Sequence, residues 1–100
     1  MTLATTIARQ VVVSGRVQGV YFRHSCRLEA NQRVVRGWVR NGDDGTVRAH
    51  FEGDPVAVKA LIDWCRTGPP EAQVAQVQVD EAEPEGLRDF RVTQDAVNRG

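Results

Sequence analysis

Gly15, Gly19 and Arg23 stand four residues apart in the run Gly15-Arg16-Val17-Gln18-Gly19-Val20-Tyr21-Phe22-Arg23. These are the types and the spacing that hold an oxyanion. Glycine admits positive φ and lets main chain approach a ligand closely. Consecutive turn N–H groups can curl into an anion-binding nest. The first N–H groups of a helix lack intrahelical partners and carry partial positive charge. Arginine adds a planar, permanently charged fork that matches phosphate or carboxylate. The same residues also suit an ordinary strand-to-helix connection, and the chemistry alone leaves both readings open. The run has no Gly-x-x-x-x-Gly-Lys-Ser/Thr signature and no third glycine at the dinucleotide-binding spacing.

The elements around that run must position it. Val11-Val12-Val13 lies within an expected strand, Ile7 to Ser14, whose β-branched content suits the middle of a sheet. A helix is expected from Tyr21 to Gln32, with Phe22, Cys26 and Ala30 on one stripe. His24 and Leu28 fall outside the stripe, so His24 is read as a surface residue and not as a base. Val34 to Arg40 forms a second strand, with Val35, Gly37 and Val39 on one face and Trp38, read as a packing residue, on the other. Asn41-Gly42-Asp43-Asp44-Gly45 is a concentrated turn signal. The run after it alternates through Val47, Ala49 and Phe51, and the whole reads as a hairpin. His50 lies on the polar phase and is expected in solvent.

Asp54 suits the N-cap of a second helix and Pro55 its first position. Val58, Leu61, Ile62 and Cys65 make its stripe, with Trp64 at the edge. Gly68 fits the C′ position beyond its end, and Pro69 and Pro70 block continuation. Ala75, Val77 and Val79 alternate as a fourth strand. Asp80, Glu81, Glu83 and Glu85 read as a solvated loop, and Phe90-Arg91-Val92 closes the order. The sequence β-α-β-β-α-β predicts an α+β, ferredoxin-like sandwich with two helices on one face of an antiparallel sheet.

One hundred residues suit one small domain, expected over 7–94, with a frayed start at 1–6 and a tail at 95–100. No apolar run is long enough for a bilayer span, and the first ten residues do not read as a secretory signal. Cys26 and Cys65 form no Cys-x-x-Cys pair and read as buried thiols, which favours a cytoplasmic setting. Residues 1–50 carry eight Arg against three acids, and residues 51–100 carry five Lys or Arg against ten acids. The total is zero, which argues against nucleic-acid binding by bulk charge. The basic half holds the candidate anion site.

The glycine–arginine run, followed by Gly37-Trp38-Val39-Arg40-Asn41-Gly42-Asp43-Asp44-Gly45-Thr46-Val47, resembles the acylphosphatase family. The likeness continues through Glu52-Gly53, Gly68-Pro69-Pro70 with Ala72 and Val74, and Phe90-Arg91-Val92, over roughly residues 7 to 94. It implies hydrolysis of acyl phosphates to a carboxylate and inorganic phosphate, with no cofactor and no metal. Arg23 matches the family's phosphoryl-binding arginine, and Asn41 the asparagine that orients water. Main-chain N–H groups from Gly15 through Arg16, Val17, Gln18, Gly19, Val20 and Tyr21 to Phe22 would form the cradle. Inorganic phosphate is expected as product and inhibitor. A monomer is expected, with no nucleic-acid or membrane partner. Taken alone, Asn41 before a glycine is a turn residue and Arg23 a helix-surface arginine; Asp43 and Asp44 read as turn residues, not as a carboxylate pair.

The chain departs from the family at Arg33, where glycine usually ends the first helix, and at Cys26, often Thr. Both touch helix packing and ending. The second reading is a non-catalytic or pathway-specific module for a phosphorylated or carbamoyl-phosphate-type ligand. A ferredoxin-like nucleic-acid binder would need exposed sheet aromatics and a basic excess, and the composition supplies neither.

Overall fold

The computed structural model describes residues 5–93. The expectations for residues 1–4 and 94–100 lie outside the described residues. The elements are β1 (Ile7–Arg16), α1 (Phe22–Gln32), β2 (Arg36–Asn41), β3 (Val47–Gly53), α2 (Pro55–Cys65), β4 (Gln73–Ala82) and β5 (Phe90–Val92). They form one sheet in the order β4-β1-β3-β2-β5 with both helices on one face, the expected ferredoxin-like sandwich. All pairings are antiparallel except β2 with β5, which is parallel. The sheet is thus mostly antiparallel, as expected, with one parallel pairing at its β5 edge. The long excursion from β4 back across the sheet brings β5 to the far edge running in the direction of β2.

The periodicities place the core as expected. Val11, Val13, Val39, Ala49 and Phe51 from the sheet meet Phe22, Cys26 and Ala30 of α1 and Val58, Leu61, Ile62 and Cys65 of α2. Full burial of a Leu or Phe side chain contributes about 1.5–3 kcal/mol, so these stripes fix the helices to the sheet. Trp64 sits at the stripe's edge and meets the Phe22 ring, with centroids 5.3 Å apart. Cys26 and Cys65 are free, buried thiols. Burial, and then the Cys65 thiol beside it, push the Cys26 pKa well above its ordinary value. Asp54 caps α2 by accepting the Val56 and Ala57 N–H groups at 3.0 and 3.2 Å, with Pro55 next to it.

Four expectations need correction. Alternation through Ala75 fails because β1 and β4 change register between Ser14 and Gly15, and Ala75 is the extra residue of that bulge. Val74, Val77 and Val79 pack on the core, and Ala75 is exposed. Asp80 and Glu81 belong to β4, opposite Gln10 and Arg9, not to a loop. The departure at Arg33 needs no correction: it is met by a different helix ending, with Arg33 at φ −100° and Val34 at φ 56°. The Arg33 guanidinium reaches back one turn to Glu29, and the exposed Val34 makes the turn. Gly68 does take positive φ, one residue later than C′, since Arg66 is the C-cap.

His50 is the fourth correction. It is fully buried, together with Glu52 two residues on. Both lie on the sheet face away from the helices, where alternation predicts solvent. The chain between β4 and β5 crosses that face and covers it. Glu52 accepts the Glu85 N–H at 2.7 Å and the Leu87 N–H at 2.8 Å. Gln10 donates to His50 Nδ1 at 2.8 Å, which leaves Nε2–H to donate to Glu52 at 2.7 Å. Trp38 stacks on the His50 ring, a packing residue as read from the sequence. Burial by itself raises the Glu52 pKa, but the Glu85 N–H, His50 and the Leu87 N–H together hold it below its ordinary value.

Candidate active site

The site lies at the end of the sheet where β1 and β2 run out. β1 runs on past the bulge through Gly15 and Arg16, opposite Val74 and Gln73 of β4. A Cβ on Gly15 would sit 2.3 Å from the Gln73 carbonyl oxygen, so only glycine lets β4 approach there. The chain then leaves the sheet. Val17 and Val20, 1% and 3% exposed, pin the loop into the core from either side. Between and after them, Gly19 (φ 75°) and Tyr21 (φ 64°, ψ 25°) both take left-handed backbone. For Tyr21 this costs about 1–2 kcal/mol, which the buried neighbours Val20 and Phe22 must offset.

α1 starts at Phe22 with Tyr21 as its N-cap. No side chain caps it and no acid stands in its first turn, whereas α2 has Asp54. The positive end of α1 is thus not neutralised by its own sequence. Arg23 follows at once, half-buried. Asn41, the last residue of β2, comes from a strand separated from β1 by β3 and is also half-buried.

Arg23 and Asn41 line one cavity of about 490 Å³, together with Val17, Gly19, Tyr21, Phe22, His24 and Val92. Of the other loop residues, Gly15 and Arg16 pair with Val74 and Gln73 of β4, Val20 is in the core, and Gln18 turns its side chain to the β2–β3 hairpin. Among the described residues the cavity wall contains Arg23 and His24 and no carboxylate, so these side chains suit an anion. His24 is exposed, as read from the sequence, yet it borders this cavity. Val92 borders it too, and no spacing could have found it, because β5 reaches β2 from far along the chain.

The hairpin after Asn41 is held by its own polar groups. Asp44 accepts from the Thr46 hydroxyl and from Arg48. The Thr46 hydroxyl first, then Arg48, bring its pKa down to about 2. Asp44 and the exposed Asp43 are turn residues, as expected. Among the described residues, no three His, Cys, Asp or Glu side chains gather as a metal-ligand set.

The profile of the acylphosphatase family matches residues 9–92 of this chain. The chain belongs to the acylphosphatase family. It is 54% identical over 90 residues to an acylphosphatase from Gloeobacter violaceus, covering 90% of this chain and 97% of that one. It also matches the structure of an acylphosphatase from Coxiella burnetii with TM-score 0.88 and 38% identity, over 93% of this chain and 100% of that one. A third likeness is to full-length HypF in a phosphate- and nucleotide-bound form, with TM-score 0.87 and 27% identity. There it covers 96% of this chain but 13% of HypF, so the acylphosphatase fold also occurs inside a larger protein. Acylphosphatase activity, a hydrolase activity, is what these similarities assign to the chain. Among the described residues no helix is long and apolar enough to cross a membrane.

Proposed function

We propose that the chain hydrolyses the carboxyl–phosphate bond of acyl phosphates, with Arg23 and the loop amides gripping the phosphoryl group and Asn41 aiming the water. The observation that carries this is the convergence of Arg23, Asn41 and the glycine loop on one cavity. An acyl phosphate is a mixed anhydride with a good carboxylate leaving group. Catalysis then needs positioning and charge stabilisation more than a strong nucleophile. The Arg23 fork binds two phosphoryl oxygens and tightens as equatorial charge builds. The uncapped start of α1 and the curled loop supply N–H donors for the remaining oxygen. The Asn41 carboxamide both donates and accepts, so it can hold a water in line with the leaving oxygen. Water oxygen bonds to phosphorus, the P–O bond to the carboxylate breaks, and the water's proton passes to a phosphoryl oxygen. The products are a carboxylate and inorganic phosphate.

Cys26 and Cys65 would stay reduced in a cytoplasmic setting, which is where this reading places the enzyme. A module acting within a larger assembly is the second reading, supported by the likeness to part of HypF. The match along 97% of the Gloeobacter violaceus protein weighs for the first.

The test is hydrolysis of acetyl phosphate with chelator present. Wild-type turnover is expected to survive the chelator, with inorganic phosphate inhibiting competitively. Arg23→Ala and Asn41→Ala should each lower kcat by about a hundredfold or more. Unchanged turnover in Asn41→Ala would remove that residue from the mechanism.

A further inference from the structure

One side chain of the glycine loop faces away from the cavity. Gln18 turns its carboxamide toward the β2–β3 hairpin. Its Nε2 donates to the Gly42 carbonyl at 2.8 Å and to the Thr46 carbonyl at 2.9 Å. Both partners are acceptors only, so the NH₂ end of the amide must face them. The two hydrogens of one nitrogen thus span the mouth of the hairpin that begins at Asn41. Gly42 is the very next residue, and its own N–H closes the hairpin on the same Thr46 carbonyl at 2.7 Å.

We infer that Gln18 is a positioning residue for hydrolysis, locking the Asn41 turn to the phosphoryl cradle through these two bonds. The inference rests on the role proposed above for Asn41. The cradle side of the lock is fixed, because Val17 and Val20 flank Gln18 inside the core. The hairpin side has little freedom once it is bound. Gly42 is buried, its N–H closes the hairpin on the Thr46 carbonyl, and Asp44 accepts from the Thr46 hydroxyl and from Arg48. Arg23 leaves the same loop at its helical end. Gln18 therefore sets the distance between the group that grips the phosphoryl head and the group that holds the water. In-line attack is sensitive to that distance, since a displacement of about 1 Å can cost on the order of a hundredfold in rate.

The test uses Gln18→Met, which keeps the length and removes both donors, in the wild type and in Asn41→Ala. Gln18→Met should lower kcat about tenfold or more, while the inhibition constant of inorganic phosphate moves less than about twofold, since the loop amides and Arg23 remain. In the Asn41→Ala background the same change should lower kcat by less than about twofold, because the residue it positions is gone. Gln18→Asn, which keeps the amide but withdraws it by one methylene, is expected to match Gln18→Met and serves if Gln18→Met does not fold. Losses that multiply in the double variant, or phosphate binding that falls as far as kcat, would overturn the inference alone. If Asn41→Ala is itself fully active, the residue roles proposed above fail and this inference falls with them.

Discussion

The two ends of the sandwich are built from the same parts and put to different uses. At one end Tyr21 takes left-handed backbone and Gln18 reaches across to hold a turn. At the other Val34 takes left-handed backbone and Glu52 reaches out to hold the chain between β4 and β5. Each end thus has a strained non-glycine residue and one polar side chain binding two distant main-chain groups. The difference lies in what the strained chain encloses. Tyr21 borders a cavity that also holds Arg23 and Asn41. Val34, exposed to the same 75% as Tyr21, makes a turn at the tip of a helix, and the Glu52 cluster is sealed. Strain alone does not mark a functional site; strain beside a lined, charged cavity is what makes the first end the candidate.

The comparison predicts that changes at the first end alter rate and changes at the second alter stability. The largest effect is expected for Arg23→Lys, because a point charge cannot replace a bidentate fork. Its kcat/KM should fall about a hundredfold or more, with unfolding free energy within about 0.5 kcal/mol of wild type by urea denaturation. Glu52→Gln should do the reverse: stability drops by about 1–3 kcal/mol, since one of its oxygens becomes a donor facing N–H donors, and kcat/KM holds. The same carboxylate sets a pH dependence. Its folded pKa lies below the ordinary 4.5, so its contribution is fully present above that value and is lost as pH falls through the lower folded value. Urea midpoints measured down through the acid range should show this loss in wild type and a smaller one in Glu52→Gln.

The smallest effects come from relieving the strain itself. Val34→Gly and Tyr21→Gly should each change stability by only about 0.5–1 kcal/mol in the favourable direction, because left-handed relief is partly offset by a freer unfolded chain. Val34→Gly should leave kcat/KM unchanged. Tyr21→Gly should lower it severalfold, since a looser residue now sits between cradle and helix. Equal behaviour of the two would erase the distinction between the ends.

Element order and core were legible because both helices and most strands obey their own periods. Phe22, Cys26 and Ala30 pack as their spacing demands, and Asp54 caps as its type demands. Arg23 and Asn41 were legible only through the family pattern, since either alone suits a surface. What escaped depends on chain far away in sequence. Ala75 falls out of phase because of a bulge opposite Gly15. His50 and Glu52 follow the polar phase, but the chain after β4 covers them. The Gln18 side chain was not singled out, because its partners are carbonyls, which no residue type announces.

β1 sits between β3 and β4, so the strand translated first is flanked only by strands translated later. Its bonding edge toward β4 stays open until Gln73–Ala82 has emerged, and the bulge between Ser14 and Gly15 cannot form before then. Such non-local closure slows folding relative to a helical bundle of equal size. On a ribosome, the glycine loop proposed to hold the phosphoryl group would be among the last parts to acquire its shape, and a nascent chain stopped before β4 would carry Arg23 and Asn41 without the frame that brings them to one cavity.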